Sequence, residues 1–247
     1  MANKLKVIPV IDILNGIAVH AVKGIRSEYK PLQSILSDSA QPLAVAKAFR
    51  NLGFSDLYVA DLDAIIDCTT SFGGLKQVAE SSGIKLMVDA GITNIDRAKS
   101  LLNNGVSKVV VGTETMQSKS FVGEAVKHLG VDRVIVSLDL KGDKVLAKEG
   151  FDGAKEPISL LREFKEMGLA EVIVLDLSRV GSGEGINIDL LRKVIDEVSL
   201  ETFVGGGVRS IEDLVQLRDL GVSGVLVATA LHTGKISVKQ LKQAKLL

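Results

Sequence analysis

Tryptophan is absent from the 247 residues, cysteine occurs once, at Cys68, and there are only four prolines and two tyrosines. A lone cysteine cannot form an intrachain disulfide and suits a reducing compartment. Neither sign of charge is in excess, since 30 Lys and Arg balance 30 Asp and Glu. A neutral chain has no global electrostatic attraction for nucleic acid or for an anionic membrane. No apolar stretch approaches the roughly 20 residues of a membrane helix. The run from Met1 to Lys6 leads straight into an apolar strand, without the regions of a secretory signal. These absences predict a cytoplasmic protein with neither nucleic-acid nor membrane partners.

What is present is a β-then-α pattern, repeated eight times. Val/Ile/Leu-rich runs near 6–12, 56–61, 85–89, 107–112, 133–139, 171–176, 201–205 and 223–228 predict strands. Amphipathic segments near 42–52, 72–82, 94–104, 118–129, 157–167, 187–197, 210–220 and 237–246 predict helices. Continuous apolar strands indicate a parallel sheet covered by those helices. Glycines at 53, 83, 105, 130, 168 and 221 stand where helices need a left-handed cap.

Eight alternations also suit an open doubly wound sheet, and an internal repeat decides between the two. Asp89–Met116 aligns without a gap on Gly205–His232 at a constant offset, 205 − 89 = 116, with nine identical pairs, Gly91/Gly207 and Thr113/Thr229 among them. Leu57–Ala64 matches Val172–Arg179, which pairs Asp61 with Asp176, and the first strand of each half ends in Asp, at Asp12 and Asp139. Two such halves close most naturally into one (β/α)₈ barrel. The expected organisation is one barrel domain over residues 1–247, with half-barrels of roughly 1–130 and 131–247.

The strongest local signal is Val204-Gly205-Gly206-Gly207-Val208-Arg209-Ser210 after the seventh strand. Glycines let backbone N–H groups approach an anion, and a helix beginning near Ser210 adds its positive end. Ala228 and Thr229 after the eighth strand give space and a hydroxyl. The loops after strands seven and eight are the common phosphate site of this fold. Gly206, Gly207, Ala228 and Thr229 are therefore the expected phosphate ligands. The equivalent place in the first half has Asp89-Ala90-Gly91 and then Gly112-Thr113. A carboxylate there repels a phosphate, so Asp89 is expected to receive a hydroxyl or amine of the substrate, with Gly112 and Thr113 beside it.

Carboxylates crowd the C-terminal rim: Asp12, Asp61, Asp63, Asp89, Asp139 and Asp176. Asp12 and Asp139 face each other in the half-barrel arrangement, which suits a base and an acid flanking a sugar. Asp176 is the third catalytic candidate. His20, His128 and His232 lack ligand spacing, and no metal site is expected. The long connection from Ile13 to Gln41, carrying Lys23, Arg26 and Tyr29, and the loop Gly181–Gly185 are candidates for covering a substrate.

As a set, Ile8-Pro9-Val10-Ile11-Asp12, Asp61-Leu62-Asp63, Val111-Gly112-Thr113, Leu138-Asp139, Asp176-Leu177-Ser178-Arg179, Gly205–Ser210 and Gly224–Leu231 resemble the histidine-biosynthesis barrel family. That family comprises the phosphoribosylformimino-aminoimidazole-carboxamide ribotide isomerase and the cyclase subunit of imidazole-glycerol-phosphate synthase. The resemblance covers essentially the whole chain. It implies an Amadori isomerisation of an aminoaldose phosphate, with Asp12 as base, Asp139 opposite, and no cofactor or metal. Three positions depart from the isomerase pattern. Val180-Gly181 replaces an Asp-Gly that carries the general acid, Leu175 replaces a Thr, and Asp89-Ala90-Gly91 replaces a glycine triplet for a second phosphate. Together they point to a divergent branch with a smaller or singly phosphorylated substrate.

Two other outcomes are compatible with the same residues. A cyclase- or lyase-type barrel would use Asp12 and Asp139 together and could dock an ammonia-supplying glutaminase. A phosphate-ligand-binding barrel without chemistry would explain Val180.

Overall fold

The computed structural model describes residues 5–67 and 73–247. Cys68 and the first four residues lie outside that range. Eight parallel strands form the centre: β1 (Lys6–Leu14), β2 (Asp56–Asp61), β3 (Lys85–Asp89), β4 (Lys108–Gly112), β5 (Val134–Lys141), β6 (Glu171–Asp176), β7 (Glu201–Gly205) and β8 (Gly224–Val227). Each pairs with the next, and β8 closes on β1 in a register running from Lys6 opposite Gly224 to Pro9 opposite Val227. The sheet is a closed (β/α)₈ barrel.

Outside it lie α1 (Pro42–Leu52), α2 (Leu75–Ser81), α3 (Ile95–Asn103), α4 (Ser120–Leu129), α5 (Pro157–Glu166), α6 (Ile188–Val198), α7 (Ile211–Leu220) and α8 (Val238–Gln243). Local chemistry sets their ends. Proline opens α1 and α5, where its missing N–H costs nothing. The Asn94 side chain caps α3, and Ser237 with Gln240 forms a capping box on α8. Gly53 and Gly221 end α1 and α7 in the left-handed conformation.

Alternation along the strands divides the core into two layers. Ile8, Val10, Tyr58, Ala60, Met87, Val110, Ile135, Ile173, Phe203 and Leu226 pack together inside the barrel. The opposite parity, including Ile11, Leu57, Val59, Val88, Val111, Val136 and Val174, packs against the helices with Phe49 and Phe164. Fully burying one such side chain contributes roughly 1.5–3 kcal/mol. The floor of the barrel is closed by an ion pair between Lys108 and Glu171 at the starts of β4 and β6.

Some local elements were not predicted. Helices Leu62–Asp67 and Thr229–His232 follow β2 and β8 directly, and Lys144–Val145 folds back antiparallel on β5. Within the long first connection, Ile17–His20 folds back antiparallel to β1, with Lys30–Pro31 added to its edge. Among the described residues, no helix is long and apolar enough to cross a membrane.

Candidate active site

A cavity of about 270 Å³ opens at the C-terminal ends of the strands. Strand parity decides which rim carboxylates reach it. Asp12 continues the inward series Ile8, Val10; Asp89 follows Met87; Asp139 follows Ile135 and Ser137. All three line the cavity. Asp61 and Asp176 have the other parity, one residue beyond the inward Ala60 and Leu175, and neither lines it.

Asp12 is half-buried, with its remaining surface open to the cavity. Among the described residues no hydrogen bond reaches its carboxylate, and burial alone pushes it up to about 7. Asp139 is held in place. Ser137 Oγ donates to its Oδ1 at 2.7 Å, the Glu114 N–H donates to its Oδ2 at 3.0 Å, and its own N–H donates to Thr113 Oγ1 at 3.0 Å. Burial outweighs those donors and raises it to about 7. Asp89 goes furthest, to about 8, through burial and then the neighbouring Asp139 charge, against the Gly91 N–H that donates to Oδ1 at 3.2 Å. The buried Tyr58 hydroxyl hydrogen-bonds Asp89, and its own ionisation is pushed well above the usual range by burial and then by the three carboxylates. Near pH 7 this wall can both take and give protons.

The wall at the ends of β7 and β8, across the barrel from Asp89 and next to β1, is built mainly of small residues. Gly206, Gly207, Ala228 and Thr229 line it together, with Lys235 at the edge. At Gly207, φ is 86°, and a β-carbon would lie 2.2 Å from the Gly185 carbonyl oxygen. Only glycine fits that turn without strain. Among the described residues no acceptor takes the Gly207 N–H, whereas its carbonyl accepts from Gly185 N–H at 3.1 Å. A backbone donor, a threonine hydroxyl and a lysine on one wall can hold an anion.

Two loops fasten across the mouth. The Lys23 N–H donates to the Val180 carbonyl at 2.8 Å, and its ammonium pairs with Glu184 at 2.7 Å. A β-carbon on Gly181 would sit 2.4 Å from the Ala21 carbonyl oxygen, so the loops touch backbone to backbone. Arg26 reaches Glu114 at 2.8 Å, joining the first loop to the end of β4. Tyr29 lines the same space, and burial followed by the Asp12 charge raises its hydroxyl to about 12.

The other expected site residues have different work. Asp176 does not come to the cavity; it accepts from Ser178 N–H at 3.0 Å and pairs with Arg179 at 2.9 Å, capping the turn after β6. Asp61 caps the following helix through Ala64 N–H, and Asp63 accepts from Asn15 N–H. Thr113 is fully buried, with its hydroxyl oxygen accepting from Asp139, and neither it nor Gly112 lines the cavity. Gly112 instead supplies space, since a β-carbon there would lie 2.9 Å from Asp139 Oδ2 and 3.3 Å from Asp89 Oδ2. Tyr58, Glu114 and Lys235 escaped sequence reasoning. Tyr58 was detectable from its position two residues before the inward Ala60; Glu114 and Lys235 carried no comparable signal. Among the described residues, no cluster of three or more His, Cys, Asp or Glu side chains could hold a metal ion.

Residues 6–237 match the family model described as histidine biosynthesis protein. The chain belongs to that family. An uncharacterised protein of Methanocaldococcus jannaschii is 34% identical over 96% of this chain and 97% of its own length. A Methanosarcina acetivorans protein, 32% identical over 95% of both chains, is named 1-(5-phosphoribosyl)-5-((5-phosphoribosylamino)methylideneamino) imidazole-4-carboxamide isomerase. A Methanosphaera stadtmanae protein of the same name is 30% identical over 94% of this chain. Each of these alignments spans nearly the full length of both chains.

Proposed function

We propose that this barrel is an aldose–ketose isomerase acting on a phosphorylated amino-sugar or ribotide. In such a reaction the C2 proton of the ring-opened aminoaldose is removed and a 1,2-enaminol forms. A proton then adds at C1 while C2 becomes the carbonyl, so C2 is oxidised, C1 is reduced, and no external electron carrier takes part.

The observation that carries this reading is Asp12. It faces the cavity, no hydrogen bond ties its carboxylate among the described residues, and it titrates near 7. A general base works best when its pKa lies close to the operating pH. Asp12 takes the C2 proton in this scheme. Val180 lines the cavity and has no proton to give, so the acid that opens the ring is Asp139, also near 7. Gly206, Gly207, Ala228, Thr229 and Lys235 hold the phosphate at the ends of β7 and β8, beside β1, and thereby orient C2 toward Asp12. The names of the Methanosarcina and Methanosphaera relatives support the same class of chemistry. We place the enzyme in the cytoplasm, where its single cysteine meets a reducing environment.

The test compares Asp12→Asn with the wild type. Turnover would be followed on the ribotide named for the relatives and on aminoaldose monophosphates, with inorganic phosphate affinity measured in parallel. Turnover should fall by about 10²–10⁴ while phosphate affinity stays within twofold. Surviving turnover would overturn the assignment of the base.

A further inference from the structure

The internal repeat places one loop in two settings, and the structure shows what differs between them. In the second half the loop is Gly205-Gly206-Gly207, with φ of 90° at Gly206 and 86° at Gly207. The Gly207 N–H has no acceptor among the described residues. In the first half the residue in Gly207's place is Gly91, 207 − 91 = 116, and its N–H already donates to Asp89 Oδ1 at 3.2 Å. Ala90 stands where Gly206 does and is not among the residues with positive φ, so the backbone does not repeat the second-half turn.

We infer that the Asp89 carboxyl is the built-in occupant of the first-half loop, and that the barrel therefore takes a ligand with one phosphate and an uncharged or protonated far end. The inference rests on the phosphate-binding reading of the second half given above. Asp89 fills the donor that a second phosphate would need, and Asp139 lies beside it: a β-carbon on Gly112 would touch an oxygen of each. Arg26 offsets only part of the charge, less than Asp139 and Glu114 add. Arg26 is held by Glu114, Lys23 by Glu184, and Lys141 is exposed at the end of β5 where solvent screens it. A dianion brought within about 4–6 Å of these carboxyls finds the Gly91 N–H already taken and, as pH rises through about 7 and 8, meets growing repulsion from the ionising pair. A hydroxyl or an ammonium is received as a hydrogen-bond donor, by carboxyls that burial holds near 7 and 8.

The test measures calorimetric affinities for ribose 5-phosphate and ribulose 1,5-bisphosphate, neither of which needs to be turned over. The wild type should bind the monophosphate at least as tightly as the bisphosphate. In Asp89→Gly/Ala90→Gly, which restores the glycine triplet, the bisphosphate should gain tenfold or more relative to the monophosphate. Asp89→Asn, which keeps the shape and removes the charge, guards against misfolding of that variant. It should show a gain in the same direction, larger at pH 9 than at pH 6.5. A wild type that prefers the bisphosphate tenfold, or an unchanged ratio in Asp89→Asn, overturns the inference. Absence of binding by either sugar removes the second-half cradle and the inference with it. Lack of turnover on every aminoaldose phosphate, with the monophosphate preference intact, defeats the isomerase reading alone.

Discussion

The Asp139 carboxylate occupies space that exists because residue 112 is glycine: a β-carbon there would lie 2.9 Å from Oδ2. The same β-carbon would lie 3.3 Å from Asp89, so one missing methyl group lets both carboxyls face the cavity. Gly112→Ala should therefore displace Asp139 from its Ser137 and Glu114 donors. The expected result is a loss of turnover of at least tenfold with about 1–3 kcal/mol of destabilisation. Steady-state kinetics beside chemical denaturation checks it; a fully active variant would show that the position of Asp139 is unimportant.

A second expectation concerns the pH dependence of turnover. As base, Asp12 must be deprotonated, so kcat/KM should rise with pH through about 7. As acid, Asp139 must keep its proton, so the rate should fall again above about 7. The profile should be a narrow bell centred near neutrality, its rising limb reporting Asp12 and its falling limb Asp139. A plateau extending to pH 9 would remove Asp139 from the role of acid.

Stability should carry the opposite imprint from that of ordinary salt-bridged carboxylates. Asp89 is raised from 3.8 to about 8 in the folded protein, so between those values the folded state binds more protons than the unfolded one. Its contribution to stability is present below pH 4 and is lost as pH rises toward 8, at up to about 1.4 kcal/mol per pH unit. Asp89→Asn removes this loss. The variant's melting temperature relative to wild type should climb from pH 4.5 to pH 8.5 in calorimetry; a constant difference would contradict the burial of a titrating carboxyl.

The phosphate wall can be probed through Gly207. A β-carbon there meets the Gly185 carbonyl at 2.2 Å, in a backbone region that L side chains rarely adopt. Gly207→Ala should weaken inorganic phosphate binding tenfold or more and cost about 1–3 kcal/mol of stability. Isothermal titration with phosphate reads the first effect and urea denaturation the second. Undiminished phosphate affinity in a folded variant would move the anion site elsewhere.

The Lys23–Glu184 pair joins two exposed side chains, and such pairs stabilise a fold by less than about 1 kcal/mol. Lys23→Ala should leave the melting temperature nearly unchanged. It should raise KM several-fold and quicken tryptic cleavage at Arg26, because the first loop is held to the second at this point. Equal KM and equal cleavage would show that backbone contacts alone fasten the mouth.

Much of this architecture was legible in the sequence because apolar runs and the 116-residue offset report directly on burial and duplication. The rim was harder. Asp12, Asp61, Asp139 and Asp176 look alike as strand-ending aspartates, yet strand parity sends the first and third inward and the others outward. That parity was present in the pattern, since Asp12 and Asp139 are spaced by two and four residues from Val10 and Ile8, or Ser137 and Ile135. Asp176 shares the strand position of Asp139, and only the side of the strand, outward beyond the inward Leu175, separates the two. Glu114 and Lys235 belong to irregular turns, where tertiary contacts fix direction and no period exists to count. Thr113 matched Thr229 by alignment, but its hydroxyl is engaged by the Asp139 backbone, a contact between β4 and β5 that no local pattern encodes.

The hydrogen bond from Gly91 to Asp89 also bears on polarity. A barrel with two equal anion nests would accept a symmetric, two-headed ligand either way round, and half of its docking events would be turned end for end. With one nest permanently filled from within, the ligand has a single head and a single tail, and the reacting carbon arrives on the same side every time. The duplicated frame thus behaves as a directional socket.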